Sequence, residues 1–128
     1  MTDYLLDSNI IIDISNNNQD TILKVENFAL KGKLTTTLFN FIEVYFGVYN
    51  KKAGEKCLKI LDKLGHFSLT KKSSEFFIHL KHNYLKKGQA FSDFDLLIAS
   101  IAIENELILL TEDKDFEQIK ELNKIVLK

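Results

Sequence analysis

Four acidic residues stand beside apolar segments, where a folding chain gains little from a charge. They are Asp7, Glu43, Asp95 and Asp113. A carboxylate near apolar surface is costly unless it is paired or bound to a cation. If the fold brings the four together, they repel one another and form a site for a divalent metal ion. The pattern therefore favours a metal-dependent enzyme that acts on phosphodiesters.

Three of the four acids have an ordinary structural explanation, which stays open at this point. Asp7 and Asp113 can each cap a helix, and Asp95 can lie in a first helical turn, where an acid favours the helix dipole. Glu43 is harder to explain, because the stretch 38–46 around it is apolar nearly all round and predicts a buried helix. Unless its side chain reaches solvent, an ionised Glu43 there calls for a bound cation.

Length and composition predict one domain, residues 1–128, which buries roughly two thirds of its unfolded surface. The content of hydrophobic residues is 45%, which is typical of a globular protein. The longest apolar runs are too short to cross a bilayer, and the early Asp3 without a basic leader argues against a signal peptide. Cys57 is the only cysteine, so no internal disulfide can form, and we expect a cytoplasmic protein.

The net charge of −1 conceals two segments of opposite charge. Residues 51–89 contain ten lysines against three acids, and residues 90–121 contain nine acids against two lysines. This arrangement can place polyanion binding next to metal binding, although both segments can equally be solvated helical faces. Arginine is absent, so any phosphate contact is made by a lysine point charge. The candidates for such contacts are Lys71, Lys72, Lys81, Lys86 and Lys87.

Apolar strands separated by helices predict a three-layer α/β domain, in which helices cover both faces of a parallel sheet of four to five strands. Strands are expected near residues 4–6, 34–37, 107–110 and 125–127, with 66–70 as a further strand or a connector. Helices are expected near residues 10–14, 22–30, 38–49, 58–64, 73–87, 92–103 and 116–122. Ser8 or Asn9 can cap the first helix, and Ser92 the sixth. Functional groups collect beyond the carboxyl ends of such strands, where Asp7 and Asp113 fall.

Together, the acids and their flanking residues resemble a PIN domain, most closely the VapC-like toxin ribonucleases of type II toxin–antitoxin systems. The resemblance spans almost the whole chain. It rests on four motifs, namely Leu6–Asn9, Glu43–Gly47, Asp95–Ala99 and Leu110–Phe116. Each motif alone is common, whereas their order, with matching strand and helix contexts, is fairly specific. One departure is the lack of an arginine, which domains of this type commonly have near the site.

The resemblance implies an endoribonuclease that hydrolyses RNA phosphodiester bonds with Mg²⁺, or with Mn²⁺ in its place. Its catalytic and metal-binding residues would be Asp7, Glu43, Asp95 and Asp113, with Asn9, Asp93, Thr111 and Asp115 in support. The five lysines would hold the RNA backbone, and by analogy the RNA is transfer or ribosomal RNA. A small antitoxin protein is the implied partner, and a homodimer is the implied assembly.

The apolar helix at 38–49 carries more aromatic residues than one core face needs. They are Phe39, Phe41, Tyr45, Phe46 and Tyr49. Part of this set can line a dimer interface or a groove for a partner helix, while core packing stays the ordinary explanation.

Three other functions remain open from the sequence. A PIN nuclease of RNA maturation would need no antitoxin. A non-catalytic RNA-binding or scaffold module on the same fold would not need all four acids. A haloacid dehalogenase-like phosphohydrolase also starts with a strand and an Asp, but it needs a second Asp two residues later. That position is Asn9, which makes this third function the weakest.

Overall fold

A five-stranded sheet forms the centre of the fold, and all of its strands are parallel. The computed structural model describes residues 2–128. The strands are β1 (Tyr4–Leu6), β2 (Leu34–Thr37), β3 (Gly65–Phe67), β4 (Ile108–Thr111) and β5 (Lys124–Val126). They lie in the order β3-β2-β1-β4-β5. This architecture confirms the predicted α/β fold, and the uncertain segment at 66–70 contributes an edge strand.

Helices cover both faces of the sheet and give the fold its three layers. They are α1 (Ser8–Ser15), α2 (Gln19–Ala29), α3 (Leu38–Val48), α4 (Ala53–Asp62), α5 (Lys71–Lys86) and α6 (Asp93–Glu104), followed by a 3₁₀ helix (Lys114–Gln118). Helices α5 and α6 pack around Leu5 and Leu109, and α1 to α4 pack around Leu6 and Leu110. Because both faces are covered, β1 and β4 carry apolar residues at successive positions. No helix within residues 2–128 is long and apolar enough to span a membrane.

Polar side chains cap the helices and set where each one begins. Ser92 caps α6, as predicted, because its hydroxyl accepts a hydrogen bond from Asp95 N at 3.1 Å. At α1 the cap is Asp7, whose carboxylate accepts from Ser8 N, so the expectation of a Ser8 or Asn9 cap is wrong. The reason is that β1 gives way to the helix at once. Only one residue between them has the extended backbone that a cap requires.

Several helical boundaries also differ from the expectation, and α4 begins at Ala53 rather than near residue 58. Helix α5 begins at Lys71, two residues early, because Thr70 and Ser73 form a capping box. The helix expected at 116–122 is a short 3₁₀ helix that ends at Gln118. The apolar residues of this segment are nevertheless buried, and they are Phe116, Ile119 and Leu122.

Helix α3 is less buried than its composition predicts. Within it only Asn40 and Val44 are buried. Its exposed apolar residues recur at about one turn and form the α3 stripe, which consists of Leu38, Ile42, Phe46 and Tyr49. The helix packs only its other side against α1, α4 and α6. The prediction of a buried helix is therefore wrong, and Glu43 is solvent-exposed rather than enclosed.

The strand order places β1 beside a topological switch point. From β1 the chain builds β2 and β3 on one side of the sheet and later β4 and β5 on the other. Connections that leave in opposite directions open a crevice beyond the carboxyl ends of the strands. Asp7 follows β1 directly, and Asp113 lies two residues after β4, so both stand at this crevice.

Candidate active site

All four predicted acids line one cavity at the switch point. It has a volume of about 330 Å³ and is lined by Asp7, Ser8, Asn9, Ile12, Glu43, Asp95 and Asp113. No lysine or histidine is among these lining residues. A larger cavity of about 540 Å³ lies near the C-terminal end of α4, but its lining is mainly apolar and contains no acid. Chemistry rather than size therefore marks the acidic cavity as the candidate site.

Asp7 is buried, and the chain holds its carboxylate from three sides. Oδ1 accepts hydrogen bonds from Ser8 N at 2.9 Å and from Asn40 Nδ2 at 3.2 Å. Oδ2 accepts from Thr111 Oγ1 at 2.7 Å. Asp7 therefore serves both roles considered from the sequence, because it caps α1 and also presents a fixed carboxylate to the cavity.

Thr111 and Asn9 connect the ends of β1 and β4. Thr111 Oγ1 donates to Asp7 and accepts from Asp113 N at 3.0 Å. Asn9 Oδ1 accepts from Glu112 N at 3.2 Å. The Asn9 amide nitrogen lies 3.4 Å from Asp7 Oδ2 and 3.5 Å from Thr111 Oγ1. The structure thus brings these two predicted supporting residues into contact with Asp7.

Two residues to which the sequence analysis gave no role in the site complete the network at Glu43. Ser8 Oγ donates to Glu43 Oε1 at 2.8 Å and accepts from Asn40 Nδ2 at 3.0 Å. Asn40 is fully buried in α3, one turn before Glu43. A sequence signal for it did exist, since Asn40 is the only amide in the otherwise apolar stretch 38–46.

Asp95 and Asp113 approach the cavity from α6 and from the loop after β4. Asp95 lies in the first turn of α6, directly after the Ser92 cap. Asp113 Oδ1 accepts from Asp115 N at 2.9 Å and thereby caps the 3₁₀ helix. Asp115 itself is exposed and does not line the cavity, although its charge is close enough to act on Asp95.

The acids of the cavity disfavour one another's charge. Burial raises the pKa of Asp7 above its usual range, and the charge of Glu43 adds to this effect. Burial also raises the pKa of Glu43, although much of its surface meets solvent, and the charge of Asp95 adds to it. The pKa of Asp95 is raised by burial and then by neighbouring acids that include Asp7 and Asp113. Hydrogen bonds such as that from Thr111 to Asp7 oppose these shifts without cancelling them.

The donor set fits a hard divalent cation. Magnesium takes oxygen ligands and keeps several waters, so carboxylates around an open cavity suit it. Within residues 2–128, no three acidic, histidine or cysteine side chains converge closely enough to enclose an ion among themselves. The four acids therefore border a cavity rather than form a closed cage. Mutual repulsion among the carboxylates and the lack of a lysine in the lining both favour a bound cation.

The lysine-rich segment is divided between the two faces of the sheet. Its first half forms α4, on the face opposite α5 and α6. Helix α5 runs antiparallel to α6, because Thr70 contacts Glu104 at 2.7 Å while Lys81 contacts Asp93 at 2.9 Å. Lys81 therefore lies at the site end of α5, whereas Lys71 starts the helix at the far end. Lys72 lies beside Lys71, and Lys86 and Lys87 follow Lys81.

Asp93 is placed differently from the other predicted supporting residues. Its carboxylate pairs with Lys81, and it does not line the cavity. It is two residues from Asp95, so the pair stands at the edge of the site.

Comparisons with known proteins agree with this geometry. The PIN domain family model matches residues 4–122. The chain belongs to the PIN domain family. The resemblance seen in its motifs is thus confirmed. PIN domains are nucleases that in general act by hydrolysis and use divalent metal ions, so membership of the family indicates a nuclease.

Solved structures of similar PIN domains come from toxin–antitoxin complexes. VapBC2 from Rickettsia felis, bound to a DNA fragment from its promoter, matches with a TM-score of 0.86 and 25% identity over 98% of each chain. DNA-bound VapBC from Salmonella typhimurium matches with a TM-score of 0.85 and 19% identity over 100% of each chain. VapBC-1 from nontypeable Haemophilus influenzae matches with a TM-score of 0.82 and 20% identity over 98% of each chain. The latter two show a shared fold. A comparison with curated protein sequences gives no match.

Proposed function

We propose that this PIN domain is a Mg²⁺-dependent endoribonuclease that hydrolyses RNA phosphodiester bonds in the cytoplasm. The observation that carries the proposal is the convergence of four acids on one cavity that has no protein cation in its lining. These acids come from four separate segments of the chain, and they are Asp7, Glu43, Asp95 and Asp113. A structural role alone would favour a cationic partner for them within the protein.

The four carboxylates would hold Mg²⁺, or Mn²⁺ in its place. The bound ion supplies a more acidic water and offsets negative charge on the phosphoryl oxygens. The protein contributes positioning, since Thr111 and Asn40 fix Asp7 while Ser8 directs Glu43. Rigidly held charges act on the reacting group without reorganising during the reaction.

Lysines on α5 would hold the RNA backbone beside the acidic cavity. Lys81, Lys86 and Lys87 are at the site end of the helix, and Lys71 and Lys72 would reach only a longer RNA. Such contacts give affinity without reading the bases, and they weaken as salt is added. Because accessible bases occur in the loops of structured RNA, transfer or ribosomal RNA is the proposed substrate class.

The decisive experiment is cleavage of a mixed RNA pool by the purified protein. We expect cleavage with Mg²⁺ and none with EDTA. Asp7→Asn and Glu43→Gln should each lower the rate by about 100-fold or more, since even partners of metal ligands contribute about 10–100-fold. Asp62→Asn, at an exposed position of α4, is the matched control and should cleave RNA like the wild type. Cleavage that persists in EDTA would exclude the metal mechanism.

The same domain is proposed to be the toxin of a toxin–antitoxin pair. The support is the 25% identity, over nearly the full length of both chains, to a protein of the Rickettsia felis VapBC2 complex. Expression of the wild type should arrest bacterial growth, and the Asp7→Asn variant should not. A short reading frame just before this one should encode a protein that relieves the arrest. Normal growth during active RNA cleavage would favour a nuclease of RNA maturation instead.

The α3 stripe is the proposed contact between two copies in a homodimer. Phe46 is 82% exposed, and it continues an apolar surface that leads from Leu38 to Tyr49. Phe46→Asp should shift the protein from dimer to monomer in sedimentation velocity. Leu30→Asp, at the C-cap of α2, is the matched control, because Leu30 is 86% exposed but lies outside the stripe. A wild type that sediments as a monomer at every concentration would rule out the dimer.

A further inference from the structure

The side chain of Asn40 is fully buried, and both the oxygen and the nitrogen of its amide form hydrogen bonds. Its Oδ1 accepts a hydrogen bond from Thr37 Oγ1 at 2.7 Å. Its Nδ2 donates to Asp7 Oδ1 at 3.2 Å and to Ser8 Oγ at 3.0 Å. Both amide hydrogens are therefore directed to residues that line the acidic cavity.

The direction of these hydrogen bonds follows from the neighbouring hydroxyl groups. Thr37 Oγ1 accepts from Asn40 N at 3.1 Å, so its own hydrogen is available to the amide oxygen. The amide nitrogen can only donate, so Ser8 Oγ accepts from it and directs its hydrogen to Glu43 Oε1 at 2.8 Å. The three residues Thr37, Asn40 and Ser8 form a polar relay that ends on two carboxylates. An ionised carboxylate only accepts hydrogen bonds, so it suits the positions of both Asp7 and Glu43.

Helix capping does not account for the Asn40 side chain. Thr37 caps α3 through the backbone N–H of Asn40, which does not involve the amide. Packing does not require an amide at this position either. The other buried residue of α3 is Val44, whose side chain is apolar. The amide instead links Asp7, which follows β1, to Ser8 and through it to Glu43 on α3.

We propose that Asn40, acting in part through Ser8, is a positioning residue that orients Asp7 and Glu43 toward one divalent cation. This inference rests on the proposed function. Hydrogen-bond partners of metal ligands orient those ligands, and losing one typically weakens metal affinity by about 10–100-fold. Asn40 serves two carboxylates, so its loss should weaken binding more than the loss of Ser8, which serves only Glu43.

The test measures Mn²⁺ affinity by electron paramagnetic resonance and calorimetry, together with RNA-cleavage kinetics and thermal unfolding. Asn40→Leu keeps a similar volume and removes the relay, and it should weaken Mn²⁺ binding by about 10-fold or more. It should lower kcat more than it raises KM, because RNA contacts on α5 are untouched. Ser8→Ala should weaken Mn²⁺ binding by about 3–10-fold.

The matched control is Thr35→Val. It removes another buried hydroxyl, which donates to Tyr4 O at 2.8 Å and lies outside the cavity. We expect it to lower Tm without changing Mn²⁺ affinity. This separates an effect on metal binding from a general loss of stability.

The outcomes separate the relay from the proposed function. A folded Asn40→Leu variant with wild-type Mn²⁺ affinity would overturn the relay. If Asn40→Leu does not fold, the test rests on Ser8→Ala, because Ser8 is only partly buried. Unchanged Mn²⁺ affinity in Ser8→Ala would then overturn the relay. A wild type that binds no Mn²⁺ would end the proposed function and the relay with it. Normal wild-type binding with unaffected variants would remove the relay alone.

Discussion

Glu112 and Asp113 are neighbours in sequence, yet they belong to two acidic clusters of different character. Asp113 lines the candidate active site. Glu112 lies in a second cluster with Asp13, Thr21 and the C-terminal Lys128. The two clusters lie on either side of the end of β4. In one of them the protein supplies a lysine beside the acids, and in the other it supplies none.

The second cluster contains its own compensating charge. Thr21 Oγ1 lies 3.0 Å from Asp13 Oδ2 and 3.4 Å from Glu112 Oε2. Lys128 Nζ is 3.9 Å from Asp13 and 3.5 Å from Glu112. A hydrogen bond from Glu112 lowers the pKa of Asp13, while burial raises the pKa of Glu112. Lys128 therefore offsets part of the negative charge of this pair.

The cluster at the candidate active site has no such compensating charge. The pKa values of Asp7, Glu43 and Asp95 are all raised, and no lysine lines their cavity. Its polar partners are hydroxyl and amide groups, which orient the carboxylates but add no charge. Proximity of acids alone therefore does not identify a metal site. The informative feature is a set of oriented acids without a cation from the protein.

The sharpest test of this comparison substitutes the two neighbours separately. Asp113→Asn should lower RNA cleavage by about 100-fold or more, because it removes a proposed metal ligand. Asparagine caps helices as well as aspartate does, so the 3₁₀ helix should persist. Glu112→Gln should leave cleavage within about 3-fold, since Glu112 does not line the acidic cavity. Equal losses in both variants would abolish the distinction between the clusters.

Divalent cations should stabilise the wild type. A ligand that binds only the folded state at ten times its Kd adds about 1.4 kcal/mol, which raises Tm by roughly 3–6 °C in a domain of this size. Thermal unfolding with MgCl₂, against NaCl at the same ionic strength, measures this gain. The gain should shrink in Asp95→Asn and persist in Asp13→Asn. No difference between the two salts would count against a metal site.

Without divalent cations, Asp95→Asn should be more stable than the wild type at pH 7. Raised pKa values mean that folding favours the protonated acids, so their stability contribution is lost as pH rises through these values. Relief of one such charge should raise Tm by roughly 2–4 °C. The gain should shrink as pH falls toward the unfolded value of about 4, because the acids then take up protons. Thermal unfolding in EDTA at pH 7 and near pH 4 measures this difference. A lower Tm for Asp95→Asn than for the wild type at pH 7 would contradict the prediction.

The second cluster should respond in the opposite direction. The pKa of Asp13 is lowered, so its contribution is present above the unfolded value of about 4 and lost as pH falls. Asp13→Asn should therefore lower Tm at pH 7 under the same conditions. A rise in Tm would show that Lys128 does not compensate this pair.

The smallest expected effect concerns Lys81, the lysine at the edge of the site. Lys81→Ala should raise KM for RNA about 2–3-fold and reduce the slope of log affinity against log salt by about 1. The matched control is Lys71→Ala, at the far end of α5, with a short RNA that spans only the site. An equal effect of both lysines would mean that the RNA follows the whole helix.

Much of the fold could be predicted because its signals are local. The apolar run before Asp7 predicts a strand, and the Ser92 cap predicts the start of α6. Both depend on interactions within a few residues, and both are confirmed. The burial of α3 was predicted wrongly, because composition does not show which side of a helix another element covers. That residues 1–128 form one domain stays a prediction.

The order of the strands and acids along the chain was enough to predict that Asp7 and Asp113 meet at the carboxyl ends of a parallel sheet. The connection from Asp7 to Glu43 through Asn40 and Ser8 appears only in the folded protein, since it joins residues more than thirty positions apart. The same holds for Lys128, which lies near Glu112 and not in the lining of the cavity that contains Asp113. Charge compensation depends on distances of a few ångströms between side chains, which packing sets and sequence spacing does not.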